Sequence, residues 1–113
     1  MLYQCGTKIL ALDNGKVTYV GFNGANGYTV IISYENGLKS TYGHVDPNFL
    51  VSKGQEVIKG QAVAKVGPKY VEKKPYTIYT DNTGKPTNGA TTGPHLHFAI
   101  SINGNKVDPS LLF

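Results

Sequence analysis

The sequence predicts an all-β domain, built as an antiparallel sheet sandwich or half-open barrel with a groove. Its 113 residues are enough for one hydrophobic core without disulfide or metal support. Fourteen glycines, six prolines and eight tyrosines indicate a turn-rich β protein. The apolar runs are short and many alternate with a period of two, as strands do. We therefore expect residues 1–113 to form a single domain of roughly eight or more short strands.

The first half of the chain contains four predicted strands, residues 7–12, 16–22, 28–34 and 38–44. An Asn14-Gly15 turn predicts that the first two form a hairpin, because this pair tolerates positive φ. The apolar centre of the third, Val30 to Ile32, predicts a central strand buried on both faces. The fourth returns beside it and ends at His44.

The second half places a long loop before a strand that carries two histidines. Residues 51–67 predict two short strands broken by glycines, and residues 101–107 predict a final hairpin. Residues 68–90 lack a regular pattern, and so long a loop in a compact domain is either functional or a flexible insertion. In the functional case it forms the rim of a cleft, with Tyr70, Tyr76 and Tyr79 as candidate substrate-binding residues.

The strand at residues 92–100 holds two of the three histidines, His95 and His97. Side chains at i and i+2 of a strand point to the same face, so both imidazoles share one side. Leu96 and Phe98 point the other way, towards a core. Two imidazoles on one face predict a metal site or a proton-transfer site.

Charge and composition exclude several classes of protein. The net charge of +4 permits an anionic partner, but the basic residues are dispersed without a continuous stripe, so we expect no nucleic-acid binding. The single Cys5 cannot form an internal disulfide and is expected to be a buried apolar residue. No run has the length of a membrane-spanning helix, so no membrane insertion is expected, and the N-terminus has no signal-peptide pattern.

Motifs along nearly the whole chain resemble those of the lysostaphin/LytM family of zinc metallopeptidases. The specific ones are Thr-Tyr-Gly-His at residues 41–44 and Gly-Pro-His-Leu-His-Phe at residues 93–98. Gly6-Thr7, the Lys-Gly-Gln segments and Val107-Asp108-Pro109 follow the same order. The resemblance implies an endopeptidase that cuts peptide cross-links or stem peptides of bacterial peptidoglycan, on a groove-forming antiparallel sheet. It also implies an extracellular, cell-envelope or phage-virion location.

The same resemblance implies roles for particular residues. His97 corresponds to a zinc ligand, and His44 and His95 to the residues that handle proton transfer. Tyr42, beside His44, joins the loop tyrosines as a candidate substrate-binding residue. The chemistry is coherent, since a three-ligand zinc site leaves an open position and neutral imidazoles can accept and return a proton.

The sequence departs from the family pattern at the other two zinc ligands. These come from a His-x-x-x-Asp segment that precedes the position of Gly6-Thr7, where this chain has only residues 1–5. Neither Cys5 nor any aspartate matches a missing ligand in position, and the aspartates are expected to cap turns or face solvent. The aspartates considered are Asp13, Asp46, Asp81 and Asp108.

Three interpretations follow from this departure. The chain is the C-terminal part of a split, processed or truncated peptidase whose missing ligands come from another segment or chain. Alternatively, it is a degenerate, non-catalytic domain used for cell-wall binding or as a structural module of an envelope or phage tail assembly. The third interpretation, zinc held by His44, His95 and His97 alone, is disfavoured because it leaves no group for the proton transfers.

Overall fold

The computed structural model describes residues 6–90 and 96–107. Within these residues the chain forms eight β-strands and two short 3₁₀ turns, and it contains no α-helix. The all-β prediction is confirmed. The strands are β1 (Lys8–Leu10), β2 (Gly15–Phe22), β3 (Tyr28–Tyr34), β4 (Leu38–Gly43), β5 (Glu56–Val57), β6 (Ala62–Lys65), β7 (His97–Ile102) and β8 (Asn105–Val107).

Six of the strands form one antiparallel sheet in the order β5-β2-β3-β4-β7-β8. The predicted central position of β3 and the predicted β7–β8 hairpin are confirmed. No helix in the described ranges is long and apolar enough to cross a membrane. The expectations for Cys5, for His95 and for the apolar tail at residues 108–113 lie outside the described residues.

The predicted hairpin between the first two strands is wrong. β1 pairs with β6 in a separate two-stranded sheet, with Ile9 opposite Ala64. The Asn14 side chain is engaged elsewhere, because its Oδ1 accepts the backbone N–H of Lys59 at 2.9 Å. The segment 11–14 therefore carries the chain from the small sheet to the large one instead of folding β1 back on β2.

The core lies between the two sheets. Val17, Val30 and Ile32 of the large sheet are almost fully buried together with Val63 and Ala64 of the small one. Burying each such valine or isoleucine stabilises the fold by about 1.5–3 kcal/mol. The other face of the large sheet is less covered, since Ile31, Thr41 and Ala99 are only half-buried. Burial of β3 on both faces was therefore predicted too strongly.

Candidate functional site

His44 and His97 lie side by side where β4 ends and β7 begins. Gly43 is the register partner of His97, and the ring centroids of His44 and His97 are 6.1 Å apart with an interplanar angle of 72°. His97 is exposed, whereas Leu96 and Phe98 pack against the core, as the alternation predicted. His44 is buried, with 5% of its surface exposed. The structure thus brings two predicted site residues together, and His95 lies outside the described part of the chain.

The backbone of His44 explains why its ring can meet His97. Strict alternation along β4 would send His44 to the face opposite its neighbour Gly43, and so away from His97. Instead His44 has a φ of +57°, in the left-handed region that a non-glycine residue adopts at a cost of about 1–2 kcal/mol. Two backbone hydrogen bonds hold it there: its N–H donates to Asn26 at 2.6 Å, and its carbonyl accepts from Gly67 at 2.9 Å.

Asn88 orients the His44 ring. The Nδ1 atom of His44 lies 2.6 Å from the backbone carbonyl oxygen of Asn88. A carbonyl oxygen can only accept, so Nδ1 carries the proton and Nε2 is the basic nitrogen of the neutral ring. The tautomer is thus set by a residue 44 positions away in the chain.

The Asn88 side chain anchors this carbonyl. It is fully buried, accepts the backbone N–H of Tyr28 at 2.8 Å and donates to the carbonyls of Val45 at 2.9 Å and Pro68 at 3.3 Å. Gly27 is required beside it, because a Cβ there would overlap Asn88 atoms. Sequence reasoning missed Asn88, since an asparagine before a glycine in a loop carries no local sign that it contacts a distant histidine.

Tyr42 is not placed to bind a substrate, and this expectation is corrected. Its side chain is 2% exposed, and its ring stacks on Phe98 with centroids 5.3 Å apart. The hydroxyl donates to the Leu10 carbonyl at 3.5 Å, and burial raises the pKa of Tyr42 above its ordinary value. Tyr42 lies within β4 and follows its alternation into the core, because the left-handed backbone comes only after the strand, at His44.

The three loop tyrosines differ in their surroundings. The Tyr70 hydroxyl donates to Asp81 at 2.7 Å, and the Lys85 Nζ lies 4.1 Å from the Tyr70 ring centroid. Tyr76 is 49% exposed, and its hydroxyl lies 3.4 Å from that of Tyr28. Tyr79 is half-buried and its carbonyl accepts the N–H of Thr87 at 2.9 Å. Substrate contact by Tyr70, Tyr76 and Tyr79 stays a prediction.

Three aspartates cap turns, as expected. Asp13 accepts the N–H of Asn14 at 2.7 Å and Asp46 accepts that of Asn48 at 2.8 Å. Asp81 accepts the N–H of Thr83 at 2.9 Å. The fourth candidate, Asp108, lies outside the described residues.

The donor set for zinc is incomplete in the described ranges. Across residues 6–90 and 96–107, no group of three or more His, Cys, Asp or Glu side chains is arranged to hold a metal ion. A catalytic zinc site ordinarily has three protein ligands. His97 is exposed and suits one ligand position. The described residues alone therefore do not fit a complete zinc centre.

A β-sheet with two histidines paired at the ends of neighbouring interior strands, one of them in a defined tautomer, is suited to hydrolysis assisted by proton transfer. The comparison with family models agrees with this class of site. The model of peptidase family M23 matches residues 1–109, and the chain belongs to this family.

Two curated relatives have names that refer to peptidase activity or to the activation of murein hydrolases. The chain is 31% identical over 104 residues to the DD-carboxypeptidase/endopeptidase Mpg of Neisseria meningitidis, covering 92% of this chain and 19% of Mpg. It is 33% identical over 106 residues to the murein hydrolase activator NlpD of Escherichia coli, covering 92% of this chain and 22% of NlpD. It spans about a fifth of the length of these curated relatives.

A solved structure also matches the fold. A zinc-containing peptidase from Vibrio cholerae superimposes with a TM-score of 0.72 and 29% identity, covering 94% of this chain and 26% of that one. The similarity to a metallopeptidase fold that the sequence predicted is thereby confirmed.

Proposed function

We propose that this chain forms the histidine-bearing part of a zinc peptidase site that hydrolyses peptide cross-links or stem peptides of bacterial peptidoglycan. The observation that carries the proposal is the pairing of exposed His97 with buried His44, whose ring centroids are 6.1 Å apart. Membership of peptidase family M23 and similarity to an endopeptidase support it. The proposed location is the cell envelope, the extracellular space or a phage virion.

His97 would hold the zinc ion, which supplies polarisation of the scissile carbonyl and a more acidic water. With its Nδ1 proton donated to Asn88, His44 presents Nε2 as the base that accepts a proton from the attacking water. The same nitrogen then returns the proton to the leaving amine. His95 shares this proton transfer in the resemblance that the sequence shows, and we retain it as a candidate catalytic residue.

The remaining ligands would come from another segment or another chain. Three protein ligands are needed, and the described residues offer no group of three donors. No histidine precedes His44 in the sequence. In this proposal His97 lies on one wall of a cleft and the missing donors lie on the facing wall.

Zinc content and peptide release test the proposal together. With the segment or chain that supplies the remaining ligands present, we expect near-stoichiometric zinc in the purified protein, loss of that zinc in His97→Ala, and release of peptides from purified peptidoglycan. In His44→Ala, zinc should be retained while cleavage falls about 10²–10⁴-fold, the usual contribution of a general base. The control is Lys59→Ala, which changes an exposed residue outside the proposed cleft. It should match the unmodified protein in zinc content and in peptide release.

A second candidate function is a non-catalytic domain that binds the cell wall or serves as a structural module of an envelope or phage tail assembly. The lack of a three-donor group among the described residues favours it, as does similarity to a protein named as a hydrolase activator. If the protein prepared with that segment or chain binds purified peptidoglycan but holds no zinc and releases no peptide, the result would support this candidate and contradict the first.

A further inference from the structure

We propose that the open face of the large sheet carries a carboxylate-binding subsite formed by Lys39 and Lys106. Its occupant is an acidic side group of the peptide that extends from His97 along the sheet. The inference deepens the proposed function and rests on it for the identity of the peptide.

The strand register places the two lysines on one row. Ser33 is opposite Lys39, Lys39 is opposite Ser101, and Ser101 is opposite Lys106. Directly opposite residues share a face of the sheet, so this row presents two ammonium groups and two hydroxyls on the same side. Lys39 and Lys106 are two strands apart, or about 10 Å between backbones, within the combined reach of their flexible stems.

The row lies on the same face as His97. His97, Ala99 and Ser101 alternate along β7 and therefore point to one side. On β4, Thr41 is the partner of Ala99, and this pair lies between His97 and the lysine row. Ser101 is four positions after His97, which corresponds to about 13 Å along the strand. An extended peptide that starts at His97 would reach the lysines after about four residues.

A depression of about 380 Å³ lies on this face. Its polar side chains are hydroxyls and ammonium groups, and no acidic residue lines it. The lining residues whose side chains are on this face are Ser33, Lys39, Thr41, Ala99, Ser101 and Lys106.

The positive charge of this depression is not neutralised. Lys39 and Lys106 are exposed, and neither has an ion-pair partner in the part of the chain that the structure describes. A larger depression of about 680 Å³ near β5 has Lys16 together with Glu35 and Glu56, so its charges are mixed. Of these two depressions, only the one that contains the lysine row is complementary to an anion.

Binding of defined peptides by the purified protein tests the subsite. The two probes are a cross-linked peptidoglycan fragment with free stem carboxylates and the same fragment with those carboxylates amidated. Each is titrated into the protein by calorimetry, with a chelator present to prevent cleavage. We expect the double variant Lys39→Gln/Lys106→Gln to bind the free acid about tenfold more weakly than the unmodified protein does. This factor corresponds to the combined loss of two exposed charge contacts. The amidated fragment should bind equally to both proteins, and added salt should reduce the difference.

The matched control is Lys53→Gln/Lys59→Gln, which removes the same charge from exposed turn residues outside the depression. Equal weakening in the control would show a general charge effect and overturn the subsite. So would equal affinity for the acid and the amide, or stronger lysine-dependent binding of poly(glycerol phosphate) than of the peptide. If the acid-specific binding holds but no peptide is cleaved without chelator, the hydrolytic function fails while the subsite stands.

Discussion

At the scale of the residue, His44 shows how much of a site can depend on backbone geometry. Its left-handed φ and its contacts with Asn26 and Gly67 turn the ring towards His97. The carbonyl of Asn88 then sets which ring nitrogen is basic. Residues held in such uncommon conformations tend to occur at functional positions, where the surrounding structure offsets their strain.

Removing the Asn88 side chain should alter both stability and the His44 tautomer. Asn88→Ala leaves the buried N–H of Tyr28 without its acceptor, and we expect a loss of about 1–3 kcal/mol in the free energy of unfolding. The carbonyl that fixes His44 would also shift, so nitrogen NMR of the imidazole should show the Nε2-protonated form appearing beside the original one.

The control for this prediction is Thr87→Val, which removes a neighbouring buried hydroxyl bonded to the Gly89 carbonyl. It should lower the free energy of unfolding by about 1 kcal/mol without changing the His44 tautomer. An unchanged imidazole spectrum in Asn88→Ala would contradict the positioning role of Asn88.

At the scale of the element, the loop 68–90 has a hydrogen-bond framework of its own. Its two ends are joined by the N–H of Asn88, which donates to the Lys69 carbonyl at 2.8 Å. At its centre Asp81 accepts bonds from Tyr70, Thr83 and the N–H of Lys85. The loop therefore connects the predicted substrate-binding tyrosines to the residue that orients His44.

Asp81→Ala should release the centre of this loop. Hydrogen bonds from Thr83 and then Tyr70 hold the pKa of Asp81 well below its usual range. A depressed carboxyl pKa stabilises the fold above about pH 4, and that contribution is lost as the pH falls. We expect lower amide protection against hydrogen exchange, relative to the intrinsic rate at each pH, at Thr83 and Lys85 in the variant at neutral pH, and in the unmodified protein only in strong acid.

Asp13→Ala serves as the comparison, since Asp13 also caps a turn but lies outside the loop. It should leave exchange at Thr83 unchanged. If Asp81→Ala also left that exchange unchanged, the proposed framework would be wrong.

At the scale of the whole molecule, two sheets enclose a core that includes polar aromatic residues. Tyr28 lies under Phe22, with ring centroids 5.2 Å apart, and Tyr42 is stacked on Phe98. Both tyrosines are buried, so folding keeps them in their neutral form. The stability of the entire fold therefore depends on these tyrosines staying protonated, which high pH opposes.

The free energy of unfolding should fall in strong alkali. Burial, with a smaller effect of the Tyr76 hydroxyl, raises the pKa of Tyr28 from 10.0 to about 12. The unfolded chain loses this proton first, so the stabilisation is complete below about pH 10 and is lost as the pH rises towards 12. Urea unfolding at about pH 9 and about pH 11.5 should differ by up to about 2 kcal/mol from Tyr28 alone. A Tyr28→Phe variant with the same decline would contradict this assignment.

The sequence by itself determined the family, most strand positions and the exposure of His97. These depend on local information: a period of two in side-chain burial, turn residues between strands, and a specific histidine motif. The bounds of β3 agree with the predicted residues 28–34, and His97 lies on the face opposite Phe98 as alternation requires. In each case the cause lies within a few neighbouring residues.

Only the tertiary structure decided the partner of β1, the burial of Tyr42 and the orientation of His44. β1 pairs with a strand about 55 residues later, and the His44 ring is held by a carbonyl 44 positions away. Such choices depend on which distant segments satisfy buried backbone groups and fill the core, and local patterns do not encode them. The row of Lys39 and Lys106 likewise exists only because β4, β7 and β8 pair in one register.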